Sequence, residues 1–149
     1  MNLIRSAVCA WGAEPLGSFE AFADKLSRVC KEAAQGLAKL LVLPENVTFD
    51  LLNEAIPETE VPGRIAEEAE RYEFLVRSLA NEHQLRLFAG TTYRTTERGI
   101  VNSGIVGQPD GSVRWFDKCK LTQYEVDPLG LAPGKFEPDQ GAVAGLVCY

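Results

Sequence analysis

Apolar residues recur along the chain with two periods, and the switches between them mark its elements. Residues 3–11, LIRSAVCAW, alternate in the manner of a strand. The stretch 12–17, GAEPLG, is a turn, and Ser18 stands where a helix cap is expected. Phe19, Phe22, Leu26, Val29, Cys30 and Ala33 then fall at helical spacing. They predict a helix to residue 35 with those side chains as its buried stripe, ended by Gly36. Leu40-Leu41-Val42-Leu43 is an unbroken apolar run closed by Pro44. Such a run fits a strand buried on both faces, and strand, helix, strand in this order implies a right-handed parallel crossover.

Residues 46–61, NVTFDLLNEAIPETEV, are polar and Pro-broken, which predicts a long connection rather than a core element. Pro62 opens a second predicted helix reaching His83, with Ile65, Tyr72, Leu75, Val76 and Leu79 as its buried side. Residues 86–92 return as a strand. Residues 99–107 and 112–117 form a predicted hairpin through Gln108-Pro109-Asp110-Gly111. Pro fixes φ there, Asp bonds its own backbone and Gly accepts a positive φ. A Gly/Pro-rich loop over 127–141 precedes a last apolar run, 142–148, read as another buried strand. No repeat or linker divides the chain, so residues 1–149 read as one domain.

Composition narrows the class. Of 149 residues, 46% are hydrophobic and 24% charged, which fits a folded globular chain. The formal charge is -6 with Lys and Arg scattered, which excludes the clustered basic face that nucleic acid or an anionic membrane requires. No apolar run spans a bilayer and the first residues carry no secretory pattern, so the expected compartment is the cytoplasm. Cys9, Cys30, Cys119 and Cys148 include no CxxC pair, against a zinc site or a disulfide framework, and no cofactor or metal is expected. His83 is the only histidine, so any Ser-His-Asp, Cys-His or polyhistidine site would have to use it. It reads as a solvated residue at a helix end.

Three polar residues stand where apolar runs end: Glu45 after LLVLP, Lys118 after SVRWFD and Cys148 after AVAGLV. Open α/β sheets gather their sites at the carboxyl ends of strands. A thiol needs a proton acceptor or a positive field to become a thiolate nucleophile. Glu45 can take that proton. Lys118 can stabilise the negative oxygen or nitrogen that develops when a thiolate adds to a carbonyl or nitrile carbon, with the backbone N–H of Tyr149 beside it. Preorganised donors of this kind contribute about 3–4 kcal/mol each. Cys9 and Cys30 read as small core hydrophobes, and Cys119 points away from Lys118 by strand alternation.

Strand 1, then LLVLPE, NSGIVGQPDGSVRWFDKCKLTQYE, APG and GLVCY together closely resemble the nitrilase/amidase (carbon–nitrogen hydrolase) superfamily over the whole chain. That family places its Glu in a hydrophobic-run, Pro, Glu motif, matched by Glu45. Its Lys lies in Lys-x-x-Leu after a hairpin turning on Pro-Asp-Gly, matched by Lys118 and Leu121. Its Cys ends an apolar run before Tyr, Glu or Trp, matched by Cys148. A second active-site Glu soon after the Lys fits Glu125 in LTQYE. The chain departs from the pattern in three places. Lys120 stands where His is usual, which leaves it as a competitor for the role of Lys118. Ala10 stands where Gln is common, and the stretch from Lys118 to Cys148 is a few residues short.

The resemblance implies an α/β fold: a partial four-layer α-β-β-α sandwich, truncated after the strand that carries Cys148. Residues 1–149 would be a single incomplete domain, since family members continue for roughly another hundred residues. It implies a hydrolase of non-peptide C–N bonds acting on a small amide or nitrile through a Cys thiolate, a Glu base and a Lys, and a homo-oligomer in a full-length form. The alternative is a truncated, inactive fragment that serves at most as a partner subunit. For the 149 residues alone the expectation is little or no turnover.

Overall fold

Ser18 and Gly36 bound the first helix as the sequence predicts. In a computed structural model of the chain, which describes residues 4–52 and 56–135, helix α1 spans Phe19–Gln35. The Ser18 hydroxyl accepts from the Ala21 N–H at 3.1 Å, satisfying one of the donors a helix start leaves open. Phe22, Leu26 and Cys30 are fully buried, and Phe19, Val29 and Ala33 pack beside them. The flanking strands are β1 (Ser6–Val8) and β2 (Leu40–Val42), paired in parallel.

The predicted helix from Pro62 to His83 is two helices, α2 (Val61–Ala66) and α3 (Ala69–Glu82). The break has a packing cause. Ile65 buries in a small cluster with Tyr93, Leu129 and Leu131, whereas Tyr72, Val76 and Leu79 bury in the main core. One straight helix cannot present its apolar stripe to both. His83 caps α3, but its side chain is only 13% exposed, so the solvated reading is corrected.

Strand β3 runs Arg86–Thr96, four residues beyond the predicted end, and turns directly into β4 (Gly99–Gly107). Strand β5 (Val113–Asp117) completes the predicted hairpin. At its turn Gly111 has φ +81° and donates to the Gln108 carbonyl at 2.9 Å. A four-residue helix, α4 (Gln123–Val126), opens the Gly/Pro-rich loop. The last predicted strand, with Cys148 and Tyr149, lies outside the described residues.

The five strands form one sheet in sequence order, β1-β2-β3-β4-β5. β1, β2 and β3 are parallel, and β3, β4 and β5 alternate, so every strand but β4 runs the same way. The carboxyl ends of β2 and β5 therefore share one edge of the sheet, which brings Glu45 and Lys118 to the same end. Ala7, Leu41 and Leu87 stand in register and join the core beneath α1 and α3. Burying each such leucine or phenylalanine stabilises the fold by about 1.5–3 kcal/mol. Leu40 and Val42 point to the opposite face and are only half-buried among the described residues, which cover β2 fully on one face.

The segment 46–61 is not simply a connection. Residues Val47–Leu51 form a 3₁₀ turn in which Val47, Thr48 and Asp50 are buried. The Asp50 carboxylate accepts from the Trp11 indole at 2.9 Å, the Lys25 ammonium at 2.6 Å and the Glu14 N–H at 3.0 Å. A charge taken out of water must be repaid by such partners, which is why one carboxylate ties β1's exit, α1 and this turn together.

Candidate functional site

Glu45 is held in place by a bulge in the neighbouring strand. The β3–β4 register shifts between Phe88 and Thr91. At the bulge the Tyr72 hydroxyl, from α3, donates to the Ala89 carbonyl. Gly90 takes φ +74°, and a Cβ there would lie 2.1 Å from the Pro44 carbonyl oxygen. Only glycine permits that approach of β3 to the Pro44–Glu45 corner. The next residue, Asn46, has φ 60° and donates its N–H to the Thr91 hydroxyl at 2.9 Å. The acid is thus set by the backbone on either side of it.

Lys118 leaves β5 with its N–H bonded to the Asn102 carbonyl of β4 at 2.8 Å, and its own carbonyl accepts from the Gly134 N–H at 2.8 Å. A Cβ on Gly134 would lie 2.3 Å from Asp117 Cβ, so the loop closes on this corner only through a glycine. The preceding residue, Asp117, faces the opposite side of the sheet. There it accepts from Arg94 at 2.7 Å, Arg98 at 3.1 Å and Ser103 at 2.8 Å. Asp117 is thereby fixed, and with it the start of the Lys118 side chain.

Glu125 sits in α4 as the third residue of a capping box. Its Oε2 accepts from the Thr122 N–H at 2.8 Å and the Thr122 hydroxyl at 2.9 Å. That leaves Oε1 to face inward.

These three side chains meet. The Lys118 ammonium lies 3.0 Å from Glu125 Oε1 and 3.3 Å from Glu45 Oε1. Lys118 and Glu125 are each 6% exposed, whereas the Glu45 side chain keeps 25% of its surface open. Burial works to lower the Lys118 pKa, but the bond to Glu125 and the charge of Glu45 outweigh it and hold the ammonium above its ordinary value. Burial works to raise the Glu125 pKa. The Thr122 N–H, the Asn102 amide and Lys118 outweigh it and hold the carboxyl below its ordinary value. Two carboxylates around one ammonium leave one negative charge uncompensated. Tyr93 of β3, paired in register with Asn102 of β4, has its hydroxyl pushed above its ordinary value, by burial first and then by Glu125 and Glu45.

Of the residues read from sequence, Glu45, Lys118 and Glu125 converge. Lys120, the competitor for the lysine role, is exposed on the far side of Cys119, which is also exposed. Cys148 and the Tyr149 N–H lie outside the described residues. The residue that sequence reasoning missed is Asn102. It is fully buried in β4, and its Nδ2 donates to Glu45 Oε1 at 2.9 Å and to Glu125 Oε1 at 3.0 Å. The available signal was an asparagine inside an apolar strand run, where that residue is depleted. Among the described residues no group of three His, Cys, Asp or Glu could hold a metal ion. No helix of theirs is long and apolar enough to cross a membrane.

The chain thus has a mixed α/β sheet with an acid–ammonium–acid cluster at one end of its strands. The family model for carbon–nitrogen hydrolases matches residues 7–149, and the chain belongs to that family. A curated relative is the probable hydrolase YhcX of Bacillus subtilis (strain 168), 28% identical over 153 residues, which span 98% of this chain and 30% of that protein. Among solved structures, a carbon–nitrogen hydrolase from Helicobacter pylori G27 superposes with TM-score 0.66 at 19% identity, covering 89% of this chain and 45% of that one. An amidase from Nesterenkonia sp. superposes with TM-score 0.67 at 19% identity, over 89% and 49%. The chain therefore spans about a third to a half of the length of these relatives, and the α/β nitrilase-type fold is shared with them over that span.

Proposed function

We propose that this chain carries the acid, ammonium and thiol of a hydrolase acting on a small non-peptide amide or nitrile. The observation that carries the reading is the convergence of Glu45, Glu125 and Lys118 on one point, 3.0 and 3.3 Å from the ammonium. For an amide, Cys148 gives its proton to Glu45 and its sulfur bonds to the carbonyl carbon. Lys118 and the Tyr149 N–H take the developing oxyanion. The C–N bond breaks and the nitrogen leaves as ammonia with the transferred proton. Water, deprotonated by Glu45, then attacks the thioester carbon, and the thiol returns as the carboxylate product departs. Lys118 has three N–H donors and spends two on the carboxylates, which leaves one for the oxyanion. Both donors to Glu45 fall on Oε1, and among the described residues none bonds Oε2, which suits that oxygen to accept a proton.

A small aliphatic amide is the substrate class to try first. The Nesterenkonia sp. AN1 amidase has been solved with butyramide and with acrylamide, the latter also added at its active site cysteine. The test is ammonia release from butyramide, and from a small nitrile, by the purified protein. Slow release that disappears in Cys148→Ala and falls at least about 100-fold in Glu45→Gln is expected, the size of effect a lost general base produces. No release from any such substrate, or release that survives Cys148→Ala, would overturn the proposal and favour an inactive partner subunit.

A further inference from the structure

The side-chain amide of Asn102 is bonded to both carboxylates of the site at once. We propose that Asn102 is the positioning residue of this centre, the group that holds Glu45 and Glu125 on either side of the ammonium and turns the free oxygen of Glu45 toward the reacting atoms. The inference rests on the functional reading above and assigns the roles within it.

The geometry is a closed ring of four polar atoms. Two are acceptors, Glu45 Oε1 and Glu125 Oε1. Two are donors, Asn102 Nδ2 and Lys118 Nζ. Asn102 reaches the acceptors at 2.9 and 3.0 Å, and Lys118 reaches them at 3.3 and 3.0 Å. An ionised carboxylate only accepts, so the amide must present its nitrogen to both, and its two N–H groups are both used. The backbone of the same residue accepts the Lys118 N–H at 2.8 Å. Asn102 thus touches the other three members of the site, as Lys118 does, but it does so without a charge of its own.

Two features separate this from ordinary strand packing. Asn102 is fully buried, and its Oδ1 is buried with no hydrogen-bond partner among the described residues. An orphaned buried acceptor is destabilising, and a leucine of similar shape would avoid that cost. The fold keeps the amide where an apolar residue would pack better, which points to work done by its nitrogen. The division of labour follows. Glu125 is bonded on both oxygens, Oε2 by Thr122 and Oε1 by Asn102 and Lys118, so it is a fixed anchor. Among the described residues, Glu45 is bonded on Oε1 alone. With Oε1 occupied by Asn102 and Lys118, its rotation is fixed, and among the described residues Oε2 is left open to exchange a proton. Among the described residues, Tyr93 of β3 also faces the pair.

Nuclear magnetic resonance of the wild-type protein gives a test that needs neither turnover nor a variant. The Asn102 side-chain N–H resonances are expected to resist solvent exchange and to move with the titration of the Glu125 carboxyl. Resonances that exchange freely and ignore that titration would overturn the assignment. Three variants extend it. Asn102→Leu and Asn102→Ser should lower kcat about 10- to 100-fold with little change in KM, the loss expected for a hydrogen bond to a charged group. They should also move the Glu125 carboxyl titration, and the acid limb of kcat against pH, to higher pH, because a donor to the ionised forms is gone. Asn102→Asp should lower kcat further, since a third carboxylate replaces the donor. A loss of kcat with the acid limb and the Glu125 titration unmoved would mean only lost folded protein, and would overturn the positioning role. If the wild type shows no Cys148-dependent hydrolysis while the Asn102 resonances follow Glu125, the reaction fails and the assignment of Asn102 to the cluster stands.

Discussion

Glu45 and Glu125 accept from the same two nitrogens, yet they are not equivalent. Glu125 is 6% exposed and bonded on both oxygens, whereas Glu45 keeps a quarter of its side-chain surface open. Lys118 lies against both carboxylates, and breaking a buried pair by removing one partner costs about 3–5 kcal/mol. Lys118→Ala is therefore expected to lower unfolding stability by about 3 kcal/mol in urea titrations. Lys120→Ala, at an exposed position, should change it by less than about 1 kcal/mol. Equal effects at the two positions would contradict the assignment of the buried ammonium. Glu45 and Lys118 were legible because they follow apolar runs, and Glu125 through the family resemblance. Asn102 was not. An amide becomes informative only when strand register places it opposite the carboxylates, and no local pattern records that Glu45 and Asn102 are neighbours.

The positions of these groups are set by elements that approach one another closely. Gly90 and Gly111 both have positive φ, but a Cβ on Gly90 would strike the Pro44 carbonyl at 2.1 Å and one on Gly111 would meet open space. Gly111→Ala should cost about 1 kcal/mol from backbone strain alone. Gly90→Ala should cost more and should also move Glu45, so it is expected to depress any Cys148-dependent activity beyond its effect on the folded fraction. Thermal unfolding of the two variants beside their activities separates the effects. At this scale α1 was legible almost to the residue, because its cap, its stripe and its stop agree. The split between α2 and α3 was not, since Ile65 and Tyr72 keep helical spacing while burying in different clusters. The 3₁₀ turn over Val47–Leu51 escaped notice because a buried Asp50 looks polar until Trp11 and Lys25 are found around it.

For the molecule as a whole, the charge cluster links stability to pH in two directions. Glu125 is held below its ordinary value of 4.5, so its contribution is present above that pH and is lost as pH falls through the lower, folded value. Lys118 is held above its ordinary value of 10.5, so its contribution is present below that pH and is lost as pH rises through the higher, folded value. Unfolding stability should accordingly be flat across neutral pH and fall at both ends. In Glu125→Gln the acid-side fall should shrink. An unchanged acid limb in that variant, followed by circular dichroism, would remove the carboxylate from the ledger of folding. The parallel pairing of β1 and β2 was legible from the strand, helix, strand order, whereas the direction of β3 was not read. Which face of β2 stays open was not, because Leu40 and Val42 read as buried and the described residues cover only their neighbour Leu41.

The proposed reaction depends most directly on the thiol of Cys148, and timed labelling with acrylamide followed by peptide mass mapping tests that thiol. Cys30 is buried with its thiol pushed up to about 12, and burial pushes the Cys9 thiol up as well, so both should label slowly. Cys119 is exposed and serves as the internal reference. The expected result is labelling at Cys148 well ahead of Cys119, with the preference reduced in Glu45→Gln and in Lys118→Ala. Labelling that favours Cys119, or that is indifferent to both substitutions, would contradict the claim that residues 45, 118 and 148 share one reacting centre.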